Sequence, residues 1–250
     1  MNHDHPSVSS QEFTVASWDV DARNRLTPAA VGRLLQEAAE TNARAIGFGY
    51  QELLRQGLAW VLSALLVRSD RSPRFRDRVR VETWPTTLAG RRALRDWRLL
   101  DAEGREFAAA TSAWYCLDVQ RRRPVSPEKW RELGTWLPER RALDRECSRL
   151  AALDAAEHEV AIPLRWSDLD LNDHLTNTRY QDLVLESYEA DWLRSREVAE
   201  IELNFLAEGK LPDVVLSRRQ AEEGAEMTWR HSLVRQSDGK EIARARVVWR

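Results

Sequence analysis

The chain has 250 residues, 43% hydrophobic and 31% charged, with a formal net charge of −2. This composition suits a folded protein of one large domain or two ordinary modules, and excludes wholesale disorder and a global pull toward nucleic acid. No apolar run approaches the ~20 residues of a membrane helix, the start from Met1 to Ser10 is polar, and Cys116 and Cys147 make no disulfide framework, so a reducing, cytoplasmic setting is expected.

The positive charge is nearly all arginine, since lysine occurs only at Lys129, Lys210 and Lys240. Runs of arginine at Arg74 to Arg80, at Arg91, Arg92 and Arg95, and at Arg121 to Arg123 read first as solvated strand faces.

In chain order, Thr27 is a good N-cap, Pro28 suits the first helical position, and Val31, Leu34, Leu35, Ala38, Ala39, Asn42 and Ile46 form one face until Gly47. Strands are predicted over 59–68, 78–84 and 92–100, followed by a turn at Asp101 to Gly104 and a closing strand from Glu106, within which Cys116 reads as a core thiol. Residues 131–156, rich in Arg, Glu and Leu with Pro138, predict a partly helical connector. Beyond it, Tyr180, Leu183, Val184, Ser187, Tyr188 and Trp192 trace a second helical stripe. Further strands are predicted over 200–206, 213–219 and 227–235, then a turn at Ser237 to Gly239 and a closing strand from Glu241.

The second series repeats the first. At an offset of 149, Asp19, Asp21, Leu26 and Thr27 fall on Asp168, Asp170, Leu175 and Thr176, and each motif opens a helical pattern. The closing turns and strands also match, with Trp114 falling on Trp249. Residues 10–130 and 157–250 therefore read as two copies of one module joined by 131–156. One long helix wrapped by a mostly antiparallel sheet is an α+β layer arrangement, here a tandem double hot-dog.

The familiar catalytic signatures are missing: no Gly-x-Ser-x-Gly elbow, phosphate-binding glycine loop, dinucleotide fingerprint, His-Glu-x-x-His or Cys-x-x-Cys. What stands out is Asp170-x-Asn172-x-His174 at the mouth of the second helix. Alternation in an extended segment would turn the three polar side chains to one side, and the helix N-terminus would offer backbone donors. A carboxylate can orient water, His can move a proton near neutral pH, and Asn can bind a developing oxyanion, which suits attack on a thioester. The plainer reading makes Asp170 and Asn172 turn formers and His174 a capped start of the helix. The repeat argues against that reading, because Arg23 and Arg25 replace Asn172 and His174 in the first copy while the Asp, Leu and Thr persist.

Residues 165–180, Arg-Trp-Ser-Asp-Leu-Asp-Leu-Asn-Asp-His-Leu-Thr-Asn-Thr-Arg-Tyr, resemble the signature of the acyl-acyl carrier protein thioesterases, a family that includes plant FatA and FatB enzymes. Leu58-Ala59-Trp60-Val61-Leu62, Thr83-Trp84-Pro85, Arg95-Asp96 and Thr111-Ser112-Ala113-Trp114 carry the resemblance through the first half. It implies a double hot-dog and hydrolysis of fatty-acyl carrier protein thioesters, with catalytic Asp170, Asn172 and His174 and a further acidic residue at Glu208. It implies no cofactor. The implied partner is acyl carrier protein, with its acyl chain on a 4'-phosphopantetheine arm; a homodimer is compatible with this. The sequence departs from the family at His174-Leu175-Thr176-Asn177, where His-Val-Asn-Asn is common, and at Gly209, where the plant enzymes carry a Cys; a Cys nucleophile at that place is excluded. Trp60, Trp84, Trp97 and Trp114 read as core that could shorten an acyl tunnel. The rival readings are an acyl-coenzyme A hydrolase using the same site, a hot-dog hydratase, and a non-catalytic acyl-binding module.

Overall fold

The computed structural model describes residues 7–126 and 136–250. Strand β1 (Ser9–Thr14) leads to helix α1 (Pro28–Ala45) and the short α2 (Tyr50–Leu54). Strands β2 (Leu58–Ser69), β3 (Arg78–Ala89), β4 (Arg92–Asp101), β5 (Glu106–Asp118) and the two-residue β6 (Arg123–Pro124) complete the first half. The second half repeats the plan with β7 (His158–Pro163), helices α3 (Arg179–Leu185) and α4 (Ala190–Ser195), and strands β8 (Val198–Phe205), β9 (Val214–Ala221), β10 (Thr228–Arg235) and β11 (Glu241–Trp249).

Among the described residues the strands form one antiparallel sheet in the order β1-β3-β4-β5-β2-β8-β11-β10-β9-β7, with β6 beside β5. The order reads symmetrically outward from the β2–β8 pair, where residues Ala64 to Arg68 face Asn204 to Glu200. The double hot-dog is thus one continuous sheet with helices of both halves packed on it.

Helix α1 forms as the sequence dictates. Thr27 Oγ1 accepts from the Ala30 amide at 3.2 Å, Pro28 opens the helix, and Gly47 ends it with φ of 83°. Its stripe of Ala30, Val31, Leu35, Ala38 and Ala39 is buried against the sheet with Trp97, whose indole N–H donates to the Leu35 carbonyl at 3.1 Å. Gly32 lets the helix approach α3 closely, because a Cβ there would run into the Gln181 side chain.

The second stripe does not make one long helix. It breaks after Leu185 and resumes at Ala190, so the expected long helix is two short ones. The break has a cause: Ser187 turns its hydroxyl back to the Val184 carbonyl at 2.8 Å, and the Ser187 carbonyl is taken by the buried Arg219 guanidinium.

The expected connector also differs. Residues 131–135 lie outside the described residues, and 136–156 contain no helix or strand. Side chains of the sheet claim this segment's polar groups, which competes with helical hydrogen bonding. Asp96 accepts from the Ala142 amide at 2.8 Å and from Arg141 at 3.0 Å. Arg145 bridges Glu202 at 2.9 Å and Glu200 at 2.6 Å, and Asn204 accepts from the Leu150 amide at 2.8 Å. Leu143 seals the strap onto Leu66 and Ala109.

Candidate active site

The repeated motif folds as the same closed loop in both halves. In the first, the Asp21 carboxylate accepts from the amides of Arg23 at 2.8 Å and Arg25 at 3.0 Å. In the second, Asp170 Oδ1 accepts from the amides of Asn172 at 2.8 Å and His174 at 3.3 Å, and the Asp170 amide donates to the His174 carbonyl at 2.7 Å. Asp173 takes a left-handed φ of 62°, as Asn24 does at 60°. The segment is therefore a tight loop rather than an extended strand, and Asp170 is a turn former as well as a site candidate. Helix α3 begins only at Arg179, and Thr178 makes no side-chain cap, so no helix N-terminus serves the motif.

The motif side chains line a cleft of about 800 Å³ that opens between the halves. Ala39, Ala43, Trp60, Leu62, Ala93 and Trp114 of the first half make its apolar wall, and Asp170, Asn172, His174 and Glu208 of the second half stand at its rim. His174 Nε2 lies 3.4 Å from Glu208 Oε2. Asp170 is tied to this pair through the loop that carries His174. Asn172 lines the cleft from an exposed position, with no side-chain hydrogen bond among the described residues.

The backbone around Glu208 is anchored. The Leu175 amide donates to the Gly209 carbonyl at 2.7 Å, Arg235 donates to the Glu208 carbonyl at 3.1 Å, and the Tyr180 hydroxyl donates to the Ala207 carbonyl at 3.1 Å. Burial pushes the Tyr180 phenol up to about 12, so it stays a neutral donor. A Cβ at Gly209 would press on the Leu175 side chain at 3.2 Å, which suits the absence of a larger residue there.

Two basic groups of the site, Arg95 and Arg122, belong to arginine runs that read from the sequence as solvated strand faces. Arg95 lies under the cleft, donating to Asn42 at 2.7 Å and Thr83 at 3.1 Å. Burial lowers its guanidinium to about 10, opposed by the Glu40 carboxylate, and it remains cationic. Arg122 reaches from the turn after β5 to both oxygens of Glu208, at 3.4 Å each. For Arg122 the signal in the sequence is the Arg121 to Arg123 run, and for Arg95 it is the Arg95-Asp96 pair that carries the family resemblance. The four tryptophans divide: Trp60 and Trp114 line the cleft, whereas Trp84 and Trp97 are fully buried core.

At the corresponding place in the other half the space is filled. Arg25 donates to the carbonyls of Arg196 at 2.6 Å and Leu193 at 2.7 Å and to Asp21 at 2.8 Å, and Arg23 reaches the Arg194 carbonyl. These bonds pin the C-terminal end of α4 onto the first motif loop and leave a pocket of only about 220 Å³. Behind it, Tyr188, Trp192, Trp229, Trp249 and His231 pack ring on ring, with Tyr188 and Trp249 centroids 4.8 Å apart.

Family models described as the N-terminal and C-terminal domains of acyl-ACP thioesterase match residues 6–129 and 151–250. A chloroplastic palmitoyl-acyl carrier protein thioesterase of Gossypium hirsutum is 30% identical over an alignment covering 97% of this chain and 64% of that protein. The chain thus spans a little under two thirds of the length of that relative. Among solved structures, an acyl-ACP thioesterase from Bacteroides thetaiotaomicron superposes with a TM-score of 0.87 at 21% identity, covering 98% of each chain. The 12:0-ACP thioesterase from Umbellularia californica gives 0.86 at 26% identity, again over 98% of each.

Proposed function

The chain belongs to the acyl-ACP thioesterase family, and from that premise we propose that it hydrolyses fatty-acyl thioesters of acyl carrier protein to free fatty acid and carrier protein. The observation that carries this reading is the His174–Glu208 pair, 3.4 Å apart, standing with Asp170 at the rim of an apolar-walled cleft of about 800 Å³. That volume falls within the range of small-molecule sites.

In the proposed reaction the acyl chain lies in the cleft along Trp60 and Trp114, and the thioester carbon sits beside His174. An imidazole that gives its Nε2–H to a carboxylate keeps a basic Nδ1, so Glu208 orients His174 to take a proton from water. The water oxygen bonds to the acyl carbon, Asn172 donates to the developing oxyanion, and the C–S bond then breaks. The imidazolium returns its proton to the departing thiolate. Asp170 holds the loop in register through Oδ1 and, as a lining residue of the cleft, stabilises the positive charge that His174 acquires.

The carrier protein is the proposed partner because the rim near Glu208 is basic: Arg121 and Arg122 are exposed, Lys240 lines the cleft, and carrier proteins are acidic. The Michaelis constant for an acyl carrier protein substrate should rise several-fold from low to moderate ionic strength, since exposed charges are screened within about 10 Å at 0.1 M salt. A salt-independent constant would defeat electrostatic docking.

We also assign the protein to the cytoplasm, a reading supported by its two thiols, Cys116 buried and Cys147 pushed up to about 12 mainly by burial, so that neither is poised for oxidation. The deciding experiment is mass spectrometry of the acids released from carrier-protein thioesters of graded chain length, with matched coenzyme A thioesters alongside. Faster release from coenzyme A across the series would overturn the carrier-protein assignment, and hydration of a crotonyl thioester without release would overturn hydrolysis.

A further inference from the structure

The reading of His174 and Glu208 as the reacting pair leaves one charged group unexplained. Arg122 lies in the turn between β5 and β6 of the first half, yet its Nη2 is 3.4 Å from both Glu208 oxygens, which belong to the second half. The turn is not slack. The Arg121 amide donates to the Asp118 carboxylate at 2.9 Å, the Val119 amide to the Gly57 carbonyl at 2.9 Å and the Val125 amide to the Cys116 carbonyl at 2.8 Å. Arg122 itself adopts a left-handed φ of 51°, a conformation that costs a non-glycine residue energy and recurs at functional sites.

The surroundings of Glu208 show what this cation does. The side chain is faced by His174 and Asp170 of the motif loop, by Tyr180 of α3, by Lys240 of the β10–β11 turn and by Arg235 at the end of β10, with Arg235 spent on the Glu208 carbonyl and on Asp238. The described contacts to the carboxylate oxygens come from His174, at Oε2 alone, and from Arg122, at both. A carboxylate touched at one oxygen can rotate away, whereas one held at both cannot without breaking a contact.

We propose that Arg122 is a positioning residue of the active site: reaching across from the first half, it fixes the Glu208 carboxylate so that Oε2 faces the imidazole of His174. The proposal rests on the assignment of His174 and Glu208 to the chemistry. It makes the reactive constellation a product of both halves. It also explains why a solvent-exposed arginine sits on a constrained turn.

The test compares Arg122→Ala and Arg122→Lys with the parent on an acyl carrier protein substrate and on the corresponding acyl-pantetheine, which lacks both the protein and the phosphate. Removing the cation should lower kcat ~3–10-fold on both substrates, the scale of one exposed charge contact acting through a positioned group. Arg122→Lys should restore most of the rate on both substrates. Because Arg122 is on the surface, the melting temperatures of all three proteins should agree.

A rise in the Michaelis constant for the carrier protein alone, with kcat unmoved on both substrates, would overturn the proposal and make Arg122 a docking residue. Parental behaviour of Arg122→Ala on both substrates would overturn it too. His174→Ala and Glu208→Gln run in the same assay separate the two levels. If they collapse while Arg122→Ala does not, only the positioning role fails; if they keep parental rates, the assignment of the site fails and takes this inference with it.

Discussion

Arg25 and His174 stand at the same place in two copies of one loop, yet Arg25 is buried against three hydrogen-bond acceptors while His174 faces an open cleft 3.4 Å from Glu208. A guanidinium with five donors in a fixed fork suits the carbonyls at the end of a helix, and it has no proton to exchange near neutral pH. An imidazole in the same loop can exchange one. The two halves therefore use one backbone for opposite purposes, closure and chemistry.

His174→Ala and Asp170→Asn should each lose ~10²–10⁴ in turnover, the usual cost of a positioned acid-base group. Asp170→Asn keeps an acceptor for the two loop amides, so the fold should survive. Steady-state rates beside circular-dichroism melting curves check this. Near-parental turnover in Asp170→Asn would move the chemistry away from this carboxylate.

Arg25→Ala should show the reverse pattern. It takes the guanidinium from the Asp21 carboxylate, which keeps its two loop amides, and leaves two helix-end carbonyls without their donor, so stability should fall by about 1–3 kcal/mol. Turnover per folded molecule should change less than about tenfold, because Arg25 has no proton-transfer role. Urea titration together with activity at full folding measures both.

Trp114→Ala removes a cleft wall and should shift released acids toward longer chains, read by mass spectrometry. Trp84→Ala removes a fully buried ring that donates to the Arg140 carbonyl at 2.7 Å and stacks beneath the Arg140 guanidinium. It should cost about 3–5 kcal/mol of stability and leave chain preference unchanged among folded molecules.

His231 sets a pH dependence of stability. Burial, with a smaller push from Arg219, lowers its imidazole to about 3, and its Nε2 meets the Tyr188 hydroxyl at 2.9 Å. Between that value and the ordinary ~6.5 the unfolded chain binds the proton and the folded chain does not, so this contribution is full above ~6.5 and is lost as pH falls toward 3. Melting temperature should drop from pH 7 to 4, and His231→Gln should flatten the slope. An identical slope in the variant would rule out His231 as its source.

The repeat, the strands and the first helix were legible because they rest on local rules: the Thr27-Pro28 start, the Gly47 stop and period-two patterning. The motif loop was legible because the first copy carries Arg23 and Arg25 where the second carries Asn172 and His174. The break at Ser187 was not, because it depends on Arg219 arriving from a strand 32 residues away. The strap over 136–156 misled for the same reason, its backbone being claimed by Asp96, Glu202 and Asn204 of the sheet. Arg95 and Arg122 looked like surface charge because their partners, Asn42 and Glu208, are brought to them only by the tertiary fold.

The β2–β8 pair has a consequence for the halves taken singly. Either half produced alone would present a long bare strand edge, the surface most prone to edge-to-edge association. Antiparallel pairing relates two strands by a two-fold axis, so two identical halves could cover each other's edges in the same manner. Such an assembly would be bound to carry two equal clefts. Joining the halves in one polypeptide lifts that symmetry, so that one cleft can be stopped with arginine and tryptophan while the other stays open.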